Sequence, residues 1–245
     1  MEILSRPLKT LGIISLGLMI GCSASDSAPQ AAEQISGATL LTAEQLKARG
    51  TEQAWFNAGP IPEWVWQRMQ GKTYKPNDDI GRDDLSYLTV LYHDEAGGIR
   101  LGEMVCNRLI AAEVLDIFRQ LYEAGYVIGR IQLPDDFDAD DERQMSANNT
   151  SSFCYRPVAG TKKLSKHALG LAVDLNTLYN PYCKVRTDGT LYAQPATGAS
   201  YCVRSKATTQ RIDEQDLAYK LFTGHGFEWG GHWQSLKDYQ HFEKP

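Results

Sequence analysis

The 245-residue chain lacks an excess of positive charge: 25 Lys and Arg stand against 30 Asp and Glu, for a formal net charge of −5. That balance excludes the electrostatic footprint of a nucleic-acid binder and a polybasic membrane patch. No apolar run is long enough to span a bilayer, since the segment Leu11–Ile20 is too short for it. No self-similarity at solenoid periods is present, which excludes a repeat architecture. Cysteine is sparse and never spaced Cys-x2-Cys, so a thiolate zinc site is not expected. The acidic run Asp135–Glu142 lacks the glycine and the distant glutamate of an EF-hand and reads as a solvated loop.

What is present suffices for a sizeable core in one domain, with 42% of the residues hydrophobic. Arg6 and Lys9 precede Leu11–Ile20, and the segment closes on Gly21-Cys22. This pattern looks like a bacterial lipoprotein signal peptide over residues 1–21, with Cys22 as the lipid-modified residue. Residues 22–50 are expected as a flexible tether and 51–245 as the folded domain, which places the protein in the cell envelope, lipid-anchored and facing the periplasm or exterior. Setting Cys22 aside leaves Cys106, Cys154, Cys183 and Cys202, an even set suited to an oxidising compartment. Of three possible pairings, the turn-rich loop between them favours Cys183–Cys202, with Cys106–Cys154 as the remainder.

Thr42-Ala43-Glu44-Gln45 has the pattern of a capping box and predicts a short helix to about Ala48. A second helix is expected over Ile61–Met69. Leu85–His93 alternates as a strand, and Gly97-Gly98 turns it into a second strand near Ile99–Leu101. The periodic stripe Ile110, Val114, Ile117, Phe118 and Leu121 predicts a long helix from about Glu103 to Ala124. Strand-like composition returns over Tyr126–Leu133, and Asp213 is expected to open a further helix that Gly224 and Gly226 stop. The sum is an α+β domain with helices packed on a small antiparallel sheet.

Chemistry concentrates in Ser165–Asp174. From Gly170 to Asn176, Leu171, Val173 and Leu175 alternate with Ala172, Asp174 and Asn176, a strand with one apolar face. Asp174 on that strand and His167 in the loop before it make a nitrogen-and-oxygen donor pair suited to zinc, and a catalytic site needs a third protein ligand. His241, in Asp238-Tyr239-Gln240-His241-Phe242-Glu243, is the best candidate. A general base must take the proton of a water activated by the metal. Asp238 is that candidate, expected in the loop or bulge just before the strand of His241 because positions three apart on a strand face opposite ways, with Glu243, on the strand face of His241, as the alternative. His225, His232 and the isolated His93 are not assigned to the site.

Three patterns occur together: Ser-x-His-x2-Gly-x-Ala-x-Asp from Ser165, Trp-Gly-Gly-x-Trp from Trp229, and Asp-x2-His-Phe-Glu from Asp238. In these the chain, from about Trp55 to Glu243, resembles the zinc peptidases that cut bacterial cell-wall peptides at D-amino acids: D-Ala-D-Ala carboxypeptidases, dipeptidases and L-alanyl-D-glutamate endopeptidases. The resemblance implies one zinc ion held by His167, Asp174 and His241, and a catalytic acid or base at Asp238. It also implies a substrate-directed arginine at Arg156 and substrate binding by Ser165, while Trp229 and Trp233 are candidates to wall the cleft. It further implies a peptidoglycan peptide as substrate, acted on by a monomer, with no nucleic-acid partner. The Hedgehog signalling domain has a similar zinc site, so a non-catalytic, zinc-stabilised cell-wall binding module is the second reading.

Overall fold

The computed structural model describes residues 37–158, 160–205 and 208–245. The expected signal peptide, Cys22 and residues 22–36 of the tether lie outside the described residues. At the start of the described chain, β1 (Thr39–Leu40) is followed by α1 (Ala43–Ala48). Thr42 Oγ1 accepts the Gln45 N–H at 3.1 Å, and Gln45 Oε1 accepts the Thr42 N–H at 2.9 Å, which closes the capping box. Next come β2 (Asn57–Gly59) and α2 (Glu63–Met69). The long hairpin of β3 (Leu85–His93) and β4 (Ile99–Asn107) runs in register from Leu85↔Asn107 to His93↔Ile99. These strands form one antiparallel sheet in the order β1-β4-β3-β2. Residues 39–40 therefore belong to the sheet rather than to a tether reaching residue 50.

The helix expected from Glu103 begins only at α3 (Ala111–Glu123). Residues 103–107 continue β4 because both faces of the hairpin are covered, which erases the alternation that marks a half-exposed strand. Leu88, Val90, Met104 and Cys106 pack with α3 residues Val114, Ile117, Phe118 and Leu121. Leu85 and Val105 pack instead with α2 residues Val65 and Met69 and with Phe153. Glu103, fully buried, is held by the Tyr87 hydroxyl at 2.6 Å, by Arg68 and by the Gly37 N–H, as a buried carboxylate requires.

Of the expected strand 126–133 only β5 (Arg130–Ile131) forms, paired parallel with β6 (Asn149–Thr150). Between them α4 (Asp141–Ser146) is capped by Asp140, whose Oδ1 accepts the Arg143 N–H at 3.0 Å. Asp135 is buried and accepts the Thr73 hydroxyl at 2.7 Å. The acidic run is thus partly structural and not a wholly solvated loop.

The remaining elements are β7 (Ala172–Asp174), β8 (Tyr182–Val185), β9 (Leu191–Gln194), α5 (Leu217–Gly224), β10 (Glu228–Trp229), β11 (Lys237–Asp238) and β12 (His241–Glu243). α5 starts three residues later than expected, because Asp216 rather than Asp213 caps it, accepting the Ala218 N–H at 2.8 Å. Two small antiparallel sheets result, ordered β10-β12-β7 and β11-β8-β9. In the first, Val173 and Phe242 enter the core beside α3 and α5, and Phe242 stacks on Phe222 at 4.3 Å. Helices on small antiparallel sheets make this an α+β fold.

Cys183 and Cys202 are disulfide-bonded, with Cα atoms 5.9 Å apart. Cys106 and Cys154 are not paired; both are free and buried. Cys106 lies in the apolar cluster on the α3 side of the hairpin, whereas Cys154 follows Phe153 on the α2 side. Cys106 packs in an apolar cluster and Cys154 in none of them, a difference in surroundings that counting cysteines cannot reveal.

Candidate metal centre and cleft

Ser165 starts the local geometry. Its Oγ accepts the His167 N–H at 3.2 Å and opens a short helical turn over Lys166–Leu169. Gly170 ends the turn with φ +66°, where a Cβ would lie 2.6 Å from the Asn107 nitrogen. Only glycine allows both that backbone and that approach. The chain then enters β7, whose Asp174 lies directly across from His241 on β12. Residues opposite each other in an antiparallel pair point to the same face. With Val173 and Phe242 turned inward, Asp174 and His241 face the cleft together.

Ligand atoms of His167, Asp174 and His241 all lie within 4.8 Å of one another. His167 Nε2 is 3.2 Å from Asp174 Oδ2 and 3.2 Å from His241 Nδ1, which is 3.0 Å from Asp174 Oδ1. The far ring nitrogens fix the tautomers. His167 Nδ1 sits 2.6 Å from the Ser152 carbonyl, and His241 Nε2 sits 2.9 Å from Glu243 Oε2. A carbonyl and a carboxylate only accept, so those nitrogens carry the protons. Two imidazole lone pairs and a carboxylate are left converging, an arrangement that is repulsive unless a cation lies among them. The donor set and its outer partners therefore fit a divalent metal such as zinc.

Electrostatics agree. Burial opposes charge on Asp174, but His167 and the hydrogen bonds of both imidazoles outweigh it and hold the carboxyl well below its usual range. Burial likewise opposes a charged His241, yet hydrogen bonds to Asp174 and Glu243 lift it to about 10. The trio favours a positive charge, whether proton or metal. A metal must displace the proton, so its affinity rises with pH.

Asp238 lines the same cleft of about 470 Å³. It is not in a loop before β12, as the sequence suggested, but on β11 in the neighbouring sheet, opposite Tyr182. Burial pushes its carboxyl up to about 6, against the pull of His241, and its Oδ1 has no hydrogen-bond partner among the described residues. Glu243, the alternative base, is engaged by His241 Nε2 and serves to orient that ring. Trp233 lies 5.3 Å from the His241 ring and walls the cleft with Tyr182 and Leu236. Arg156 also lines the cleft, its Nε 2.8 Å from Asp141 Oδ2 on α4.

Other aromatic and imidazole candidates lie elsewhere. Trp229 is buried and donates its Nε1–H to the Tyr239 carbonyl at 2.9 Å. His232 meets Glu214 at 3.1 Å, His225 meets the Leu221 carbonyl at 2.9 Å, and His93 stacks on Tyr122 at 4.7 Å. Sequence reading missed Ser152, which acts through its backbone carbonyl and so leaves no side-chain signal. It also missed Asp141, hidden in the acidic run, and the cleft residues Gln240 and Tyr182.

With this geometry in place, residues 159–244 match the family described as D-alanyl-D-alanine carboxypeptidase. The matched segment contains Ser165, His167, Asp174, Trp233, Asp238 and His241, and leaves Arg156 and Asp141 outside it. No curated protein and no solved structure matches the chain.

Proposed function

We propose that the protein is a zinc-dependent peptidase that hydrolyses peptide bonds in peptidoglycan stem peptides, of the D,D-carboxypeptidase or L-alanyl-D-glutamate endopeptidase type. The observation that carries this reading is the meeting, in one cleft, of two imidazole lone pairs, a carboxylate and the unpartnered oxygen of Asp238. The family match over residues 159–244 supports the peptidase class. The implied fold relationship to the Hedgehog domain and the DD-peptidases, and the lipid anchor at Cys22 in the cell envelope, belong to the same proposal.

Zinc held by His167, Asp174 and His241 would supply Lewis acidity, activating a water and polarising the scissile carbonyl. Asp238 accepts the proton of the attacking water and delivers it to the leaving amine, the work for which a carboxyl raised by burial is suited. Ser152 and Glu243 keep the two imidazoles in the tautomers that direct lone pairs inward. Arg156, held by Asp141, presents a fixed cation to a substrate carboxylate. Ser165 sets the turn that carries His167 and, at the cleft edge, contributes to substrate binding. Trp233 and Tyr182 exclude water from one wall. A non-catalytic binding module has no use for a buried carboxylate oxygen kept without a partner beside the ligands.

Purified protein incubated with muropeptides in the presence of zinc tests the reading, with products read by mass spectrometry. Release of D-alanine, or a cut between L-alanine and D-glutamate, is the expected result; intact substrate contradicts it. The orienting role of Glu243 gives a separate expectation. Glu243→Gln keeps the shape but removes the charge behind His241, and zinc affinity falls about 10- to 100-fold, measured by competition with a chromophoric chelator.

A further inference from the structure

We propose that the Cys183–Cys202 disulfide is a positioning device for Asp238, so that its loss impairs catalysis while zinc stays bound. The inference rests on the peptidase reading above. Asp238 and the metal ligands are held by different sheets. His241 and Asp174 are on β12 and β7, whose Phe242 and Val173 are anchored in the main core. Asp238 is on β11, an edge strand of two residues whose one strand neighbour among the described residues is β8, with Lys237 opposite Cys183 and Asp238 opposite Tyr182. The disulfide thus meets the ladder one residue from the partner of Asp238.

That ladder has little apolar anchoring in the core. Among the described residues, none between Thr177 and Arg211 belongs to the packed apolar clusters of the core. Val185, Leu191 and Val203 are exposed, while Cys183 and Ala193 are the buried apolar residues of the hairpin β8–β9. An isolated two-stranded ribbon is marginal in water. Its attachments to the rest of the chain are polar, such as the Ala196 N–H to Glu142 Oε1 at 2.6 Å and the Ser146–Thr197 hydroxyl contact at 2.9 Å. The disulfide ties β8 to the helical turn Ala196–Cys202 that makes these attachments. On its other flank β11 is held by Gly230 close to Asp238, by Lys237 Nζ donating to the Gly231 carbonyl at 3.1 Å and by Trp229 Nε1–H donating to the Tyr239 carbonyl at 2.9 Å, contacts that keep its backbone close without pairing it to a strand. Without the cross-link β8 frays, and β11 loses the strand that aims its carboxylate.

The test compares zinc-loaded wild type with the Cys183→Ser/Cys202→Ser variant on muropeptides. A misplacement of the order of an ångström at a catalytic group can cost about a hundredfold, so kcat is expected to fall about 10- to 100-fold while KM moves little. Zinc affinity stays within about twofold, because its ligands and their outer partners are untouched. Amide exchange at 182–185 and 237–238 accelerates about tenfold or more, and 172–174 and 241–243 keep their protection. Unchanged kcat overturns the proposal. So does loss of zinc or of protection at 172–174, which would make the disulfide a prop of the whole fold, and a variant that fails to fold overturns it in the same way. If wild type itself binds zinc but cuts nothing, the peptidase reading falls, while the exchange measurements still decide whether the disulfide holds β11.

Discussion

Asp238→Asn is expected to lower kcat on muropeptides by about 10²–10⁴-fold, the usual contribution of a positioned general base, with the zinc content unchanged. The substitution preserves volume and removes only the ability to take a proton. Asp238 sits across from Tyr182 and outside the ligand trio, so metal retention separates its role from that of His241. The pH profile gives a second signature. Burial pushes the Asp238 carboxyl up to about 6, and a cation at the neighbouring ligands draws it down from there. The base works only when deprotonated, so wild-type kcat/KM falls as the pH drops through an acidic limb at or below that value. The limb disappears from whatever activity remains in Asp238→Asn. A variant with full activity, or an unchanged limb, would reassign the base.

His167→Ala and His241→Ala are expected to abolish both zinc binding and activity. Losing an outer partner of a ligand weakens such sites about 10- to 100-fold, and losing a ligand must cost more. The two variants should differ in what they leave behind. His167→Ala frees the Ser152 carbonyl, an acceptor that is buried with its residue. His241→Ala leaves Glu243 and Asp174 facing each other without the imidazole between them. The second variant should therefore also be destabilised at neutral pH and recover part of its stability in acid, as the two carboxylates protonate. Urea unfolding at two pH values measures this.

Much of the site was legible in the sequence because its residues lie in short local patterns. Alternation over Gly170–Asn176 puts Asp174 on the face opposite Val173, and an antiparallel partner carrying His241 completes the trio. Glu243 was placed on the correct face by its spacing of two from His241. Its role depended on which ring nitrogen it meets, and no spacing encodes that. Asp238 was displaced from its expected loop because β11 pairs with β8, where its partner Tyr182 lies far back in the chain. The hairpin β3–β4 shows the same limit in the fold. Its first strand is legible from weak alternation and a composition rich in Tyr, Leu and Val, while the second reads like the helix that follows it. The pairing of Cys106 with Cys154 failed because parity says nothing about where in the fold a buried thiol sits.

Zinc K-edge absorption spectroscopy on the purified, zinc-loaded protein tests the central claim most directly. One zinc per chain is expected, in a shell of nitrogen and oxygen only, with the signature of two imidazoles, lost in His241→Ala and kept in Asp238→Asn. A protein that stays metal-free in excess zinc, or one whose zinc shows sulfur scattering from Cys106 or Cys154, would contradict it.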